Sequence, residues 1–185
     1  MKKFALILMV LMFSLSMVYG QSQKTSKDPR KETKKEQRSA MVPLKKLGGG
    51  AINPVAKNNF ITDFGNIPVE KWERSTYFDE AVFTKNGMKY RAFYDLDGNL
   101  VGTTNVAKFS DLTPAAQKEI ENKYKDYKID KVIFYDDNEA NSTDMYLYNQ
   151  QFEDADNYFV EMTKGTKRLV LQVTPEGAVY FFTEF

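Results

Sequence analysis

The sequence predicts an α+β domain, an antiparallel β-sheet with helices packed on one face. Three observations predict it. Strand-like runs outnumber helical ones, short hairpin-type turns join them, and 23 of the 26 aromatic residues fall within residues 60–185, ample material for one core. Short turns lead from one strand to its neighbour, whereas a parallel sheet needs crossovers of a dozen residues or more.

Each element has its own signal. Residues 55–64 predict a short helix presenting Phe60, Ile61 and Phe64, ended by Gly65 with Pro68 beyond it. From Trp72 the chain reads as strands, first Thr76 to Thr84, then Met88 to Tyr94. Between them stands Asn86-Gly87, the strongest short hairpin signal because both residues accept positive φ. Asp97-Gly98 makes a second turn before a strand from Asn99 to about Thr104. Thr113 and Pro114 then start a helix: the hydroxyl accepts an orphan amide and the proline ring has none to lose. Ala116, Ile120, Tyr124 and Tyr127 recur at helical spacing and form its core stripe. Strand-like runs follow at Ile129 to Tyr135, Met145 to Tyr148, Tyr158 to Met162 and Lys167 to Val173. A last one, Ala178 to Phe182, comes after the turn Thr174-Pro175-Glu176-Gly177. Setting Gly98 on Gly177 superposes two strand–turn–strand units. Duplication and convergence on hairpin chemistry both account for that echo.

Around the domain, composition divides the chain into a signal peptide (1–20), a basic disordered tail with a Gly-rich linker (21–54) and a single globular domain (55–185). Lys2 and Lys3 precede an apolar run from Phe4 to Val18. It is shorter than the ~20 residues a bilayer span requires and reads as a secretory signal cleaved near Gly20, leaving no transmembrane segment in the mature chain. The expected location is periplasmic or secreted. Residues 21–59 carry ten basic side chains against three acidic, while residues 60–185 carry 14 against 22. Residues 21–39 hold no aromatic or β-branched apolar residue and predict disorder, and Gly48-Gly49-Gly50 predicts a flexible joint. The basic tail suits loose contact with an anionic surface. Without interleaved aromatics it does not suit nucleic acid.

The chain contains no His and no Cys. Imidazole and thiolate catalysis, Cys/His zinc sites, iron–sulfur ligation, lipid attachment to a cysteine and disulfides are therefore excluded. Carboxylate-pair hydrolysis needs neither residue, but no pair among the acids has a distinguishing context and no glycine-rich phosphate cradle accompanies them. The expectation is a non-enzymatic protein with no cofactor.

The stretch Glu80-Ala-Val-Phe, Asn86-Gly, Ala92-Phe-Tyr-Asp-Leu-Asp-Gly-Asn-Leu-Val-Gly-Thr-Thr, Asp111-Leu-Thr-Pro, Ile120 to Tyr124 and Ile129-Asp-Lys-Val resembles the PepSY-like family. More specifically it resembles the β-lactamase-inhibitor-like group of exported Bacteroidetes proteins. Tyr158-Phe-Val and the segment from Leu169 to Tyr180 resemble the strand–turn–strand close of such a unit. The resemblance covers about residues 72–185 and rests on order and spacing. It implies the α+β fold, no catalytic residues and a periplasmic or secreted role in binding or inhibition.

Candidate sites follow from alternation and charge. If Met145, Leu147, Val160, Met162, Leu169, Leu171, Val179 and Phe181 face the helices, then Tyr146, Tyr148, Phe159, Tyr180 and Phe182 face the other way. Tyr and Phe on an open sheet face are anchors for a protein or peptide partner; covered, they form a second core layer. Asp95, Asp97 and Asn99 around Gly98 resemble the opening of a calcium loop but read better as an Asp-Gly turn, since Val106 stands where the closing Glu should be. Two acidic loops, Asp136, Asp137, Glu139 and Asp144, and Glu153, Asp154 and Asp156, are candidates for weak calcium binding. Asn141-Ser142-Thr143 is a glycosylation sequon. The leading expectation is an exported binding module using the aromatic sheet face. The alternative is an envelope-associated accessory protein held by its tail and weakly calcium-responsive.

Overall fold

The computed structural model describes residues 41–185. The expected signal peptide and the tail up to residue 40 lie outside them. The described elements are α1 (Pro54–Phe64), β1 (Val69–Arg74), β2 (Asp79–Lys85), β3 (Met88–Tyr94), β4 (Leu100–Ala107), a 3-10 turn (Phe109–Asp111), α2 (Pro114–Lys123), β5 (Lys128–Asp137), β6 (Met145–Leu147), β7 (Gln150–Phe152), β8 (Asn157–Lys164), β9 (Lys167–Val173) and β10 (Val179–Glu184). Eight strands form one antiparallel sheet in the order β1-β2-β3-β4-β5-β8-β9-β10, and β6 pairs only with β7. The α+β fold with helices on one face is thus present as the sequence predicts.

The pleat explains the layers. Thr103 and Asp136 are register partners on the same face as Ala92, and Ala107 and Val132 continue that face along β4 and β5. Helix α1 buries Ala56 and Phe60 against Ala81, Phe83, Ala92 and Tyr94. Helix α2 buries Ala116 and Ile120 against Val132, Val160, Met162, Leu169 and Leu171. Both helices therefore lie on one side.

The chain builds this arrangement twice, as a helix followed by four strands of the main sheet, with the β6–β7 hairpin inserted in the second half. In each half a turn glycine with positive φ meets the start of that half's helix: a Cβ on Gly98 would lie 2.8 Å from the Ala56 nitrogen, and one on Gly177 would lie 2.1 Å from Thr113 Oγ1. Bulges fall at Val69/Lys71 in β1 and at Ile129/Lys131 in β5, the first strand of each half. The two glycines occupy equivalent places, which the sequence echo left open.

Four local expectations are corrected. Ile61 is exposed, because only Phe60 and Ala56 of α1 lie on its buried stripe. The run from Thr76 does not open a strand: Ser75 closes a tight turn, its N–H donating to the Phe78 carbonyl at 2.9 Å, and β2 begins at Asp79. The preceding strand, β1, starts at Val69 rather than Trp72. Residues 145–148 do not join the main sheet. They form, with the unanticipated β7, a hairpin folded over the face opposite the helices, where Met145 and Phe152 are buried. Met145 and Leu147 thus pack away from the helices.

Candidate interaction surface

On the face opposite the helices, the sheet contributes Phe93, Val101, Tyr135, Phe159, Val170 and Phe182. One part of that face is covered by the β6–β7 hairpin and by the irregular approach of residues 42–48, whose Leu44 packs against the same group. The approach is anchored by backbone: Val42 N–H donates to Asp144 Oδ2 at 2.9 Å, and Leu47 N–H to the Thr76 carbonyl at 2.9 Å.

The five aromatics singled out by alternation come together around this cover in different roles. Phe159 is fully buried, with the Phe152 and Phe182 rings each at 5.0 Å. Phe182 is half-buried beside Phe152 at 5.8 Å. Tyr148 sits at the hairpin turn with φ 50°, and its hydroxyl donates to Glu161 Oε1 at 2.7 Å, tying the turn to β8. Tyr146 is half-buried and packs edge-on to Tyr77 at 4.8 Å. Tyr180 faces the same side from β10 and is 42% exposed. The sheet face is therefore neither open nor closed: four of the five form a second core layer or its margin, and an aromatic margin reaches solvent at the β10 end.

Two further aromatics, Phe185 at the β10 end and Tyr77 beside Tyr146, join the surface without having been singled out. Phe185 is 54% exposed, stacks 6.4 Å from Tyr148 and lies 4.7 Å below the Arg168 guanidinium. It follows the last recognisable strand run, so periodicity gave it no face. Tyr77 lies in the turn after β1, where the sequence reads as strand.

The electrostatics of the surface favour fixed contacts over proton transfer. Burial, followed by the bond to Glu161, pushes the Tyr148 hydroxyl well above the ordinary phenol range. Burial likewise raises Tyr135, whose hydroxyl donates to Asp137 Oδ1 at 2.9 Å. Both stay neutral donors at physiological pH. Three of the carboxylates suspected of calcium binding are held by hydrogen bonds within the fold. Asp95 Oδ1 accepts from the N–H groups of Asp97 and Asn99, each at 2.9 Å, which is the Asp-Gly turn. Asp144 is buried and accepts from Val42 and Gln151, and Asp156 Oδ1 accepts from the Asp137 N–H at 2.8 Å. Among the described residues no group of three or more acids is placed to hold a metal ion. The sequon residue Asn141 donates to Asp95 Oδ2 and to the Leu100 carbonyl, both at 3.0 Å, so its amide is held inward.

The fold is similar to that of solved Bacteroides proteins. A BLIP-like protein of Bacteroides fragilis superposes over 80% of this chain and 89% of its own, with TM-score 0.52 and 16% identity. The chain has the BLIP-like fold. A DUF2874 family protein of Bacteroides uniformis gives TM-score 0.57 at 12% identity over 73% of this chain and 89% of its own. A protein of Bacteroides eggerthii described as a candidate periplasmic protein gives 0.58 at 13% identity over 74% and 89%. No family model and no curated protein matches the chain. The β-lactamase-inhibitor-like resemblance read from order and spacing is thereby borne out as fold. At these identities the BLIP-like fold fixes architecture, and function is argued from the surface. Among the described residues no helix is long and apolar enough to cross a membrane.

Proposed function

We propose that the protein is an exported, non-enzymatic binding module that recognises a protein or peptide through the aromatic margin of the sheet face opposite the helices. The observation that carries this reading is the solvent exposure of Tyr180 and Phe185 in continuity with the half-buried rings of Tyr148 and Phe182. Large rings held rigid by a packed layer lose little entropy on binding, and a rim of this kind is where interface energy concentrates. Tyr146 and Tyr77 continue the aromatic surface on the other side of the hairpin. Export is supported by the N-terminal basic and apolar pattern and by the similarity to the candidate periplasmic protein of Bacteroides eggerthii. A binding role is in keeping with the inhibitor-like name of the Bacteroides fragilis neighbour.

The test is affinity capture from the producing cell's periplasmic and secreted fractions, with mass spectrometry as readout. Residues 21–185, residues 41–185 and a Tyr146→Ser, Tyr180→Ser double variant serve as baits. The expected result is a reproducible partner on both wild-type baits that is lost from the double variant, whose melting temperature stays within a few degrees. A partner held equally by the double variant would overturn the aromatic surface. Retention by the longer bait alone would place recognition in the basic tail, the reading of an envelope-tethered accessory protein.

A further inference from the structure

The two edges of the sheet are built differently. β1, at one edge, carries Glu70, Lys71, Glu73 and Arg74, and the chain before α1 lies across its end: Leu47 N–H donates to the Thr76 carbonyl at 2.9 Å, and Arg74 Nη1 to the Gly48 carbonyl at 2.7 Å. Charge and cover of this kind keep an edge from pairing with another chain. β10, at the other edge, runs Val-Tyr-Phe-Phe-Thr-Glu, with its one charge at the end. Tyr180 is 42% exposed on the face opposite the helices, and Phe181, the register partner of Leu171, is 41% exposed on the helix side. The strand thus presents an aromatic ring to solvent on each side of its edge.

The duplicated plan shows what such an edge receives. Pro54, Phe60 and Lys71 of the first half and Pro114, Ile120 and Lys131 of the second stand at one constant spacing, and Gly98 and Gly177 turn the chain into β4 and β10 respectively. β10 is therefore the counterpart of β4. On one side β4 pairs with β3, and on the other it takes β5 as an antiparallel neighbour from Gly102 to Ala107. A bulge lies in β4 against β3, as one lies in β10 against β9, so a bulge of this kind is no bar to pairing on the far side. The edge that β4 gives to β5 is, in β10, the end of the sheet.

We propose that β10 pairs antiparallel with β10 of a second copy of this chain, closing a two-fold dimer with one continuous sheet. The counterpart of β5 is β1, whose charges and covered end oppose a head-to-tail array, whereas a β10–β10 pair uses the same edge twice and closes. Charge fits this direction. Two-fold pairing brings the Glu176 turn of each copy to the end where the other carries Lys167, Arg168 and Glu184, so each end is balanced and only apolar and hydroxyl side chains meet between. Tyr180, Phe181 and Phe185 hold roughly 300 Å² of exposed ring surface per copy, short of the ~800 Å² per partner of a stable complex even with the strand backbone added. The dimer is therefore weak, with a dissociation constant on the order of 100 μM. The inference rests on the aromatic-margin reading and deepens it by naming a second copy as an occupant of the β10 end.

The experiment is sedimentation velocity on residues 21–185 from about 10 μM to about 1 mM, with ¹⁵N amide shifts followed over the same range. The expected result is a mass that rises with concentration toward two copies and no further, with the concentration-dependent shifts on residues 179–185 and none on residues 69–74. Tyr180→Lys and Phe181→Lys set like charges across the axis and are each expected to weaken the dimer roughly tenfold or more. Val106→Lys, at an exposed apolar position of β4 away from the edge, should leave it unchanged. If a lysine variant at β10 loses its fold by circular dichroism, the shifts of the unmutated chain decide. A monomer throughout the range overturns the proposal, as does a mass that grows past two copies, a dimer whose shifts fall outside β10, or one kept by both folded lysine variants. A chain that stays monomeric yet captures a foreign partner through Tyr180 would sink the dimer and leave the aromatic margin standing.

Discussion

Asp79 shows how a single residue ties the first half of the molecule together. Its carboxylate is fully buried and accepts Arg74 Nε at 2.7 Å and Nη2 at 2.6 Å, while Oδ2 also accepts the Asn53 N–H at 2.8 Å. One side chain thus pins β1, β2 and the start of α1. Asp79→Ala leaves the Arg74 guanidinium without its carboxylate and the Asn53 amide without its acceptor in a mostly buried place, and the expected loss is about 3–5 kcal/mol of unfolding free energy by chemical denaturation. A loss below about 1 kcal/mol would show that water replaces the pair. Asp136 has the opposite sign. Its carboxyl is held above the usual range by burial and by Asp156, so the folded chain binds this proton more tightly than the unfolded one. Folding is therefore penalised while the group is charged, and stability is regained as pH falls through the raised folded value toward 3.8. Because Asp136 is exposed, Asp136→Asn should raise stability at pH 7 by only a few tenths of a kcal/mol. That gain should shrink in thermal melts near pH 4, and a constant gain would remove the electrostatic explanation.

The β6–β7 hairpin is the element on which the character of the sheet face depends. Phe152 is buried between Tyr135, at 5.3 Å, and Phe159, at 5.0 Å, and it anchors an otherwise three-residue strand. Phe152→Ala is expected to cost about 3–5 kcal/mol, or, if the hairpin lifts locally, somewhat less together with new binding of a hydrophobic dye to the uncovered face. A small cost with no dye binding would mean that the hairpin is held by Tyr148 and Asp144 instead. This is also the element that was least legible. Elements whose signals are local were readable: Asn86-Gly87 does turn with φ 53° and 77°, and Thr113 does cap α2, its Oγ1 accepting the Ala116 N–H at 3.2 Å. Met145 to Tyr148 alternates like any strand, and alternation cannot say which sheet a strand joins. The choice was made by tertiary packing that alternation does not encode, Phe152 against Phe159 and Tyr135, and by Asp144 accepting the N–H of Val42, which is distant in sequence. The same reason divides the candidate site. Alternation places Phe159, Tyr180 and Phe182 correctly on the face opposite the helices, but burial of Phe159 and exposure of Tyr180 depend on where the hairpin ends.

At the scale of the whole molecule, two repeats of a helix and four strands build a continuous sheet, and the extra coverage falls on one face only. That coverage has two parts, the hairpin and residues 42–48, which share Asp144: it accepts Val42 from the approach and Gln151 from the hairpin. The approach also receives Arg74 Nη1 at the Gly48 carbonyl, 2.7 Å away, so the arginine that pairs with Asp79 reaches the incoming chain as well. Composition points to a linker here because residues 41–50 carry Lys45, Lys46 and the run Gly48-Gly49-Gly50; their value lies in backbone bonds and in Leu44, which composition does not register. The segment is therefore expected to behave as part of the domain. Removing residues 1–48 should cost roughly 1–3 kcal/mol relative to residues 41–185, from the loss of about three hydrogen bonds and of Leu44 burial, and should expose Tyr146 and Tyr77 further. Removing residues 1–40 in place of 1–20 should change stability by less than about 0.5 kcal/mol, and what change there is should weaken with salt, because the deleted charge acts on an acidic domain through solvent. Urea denaturation of the three lengths decides this. Equal midpoints for residues 41–185 and 49–185 would return residues 42–48 to the linker and leave the hairpin as the sole cover of the aromatic face.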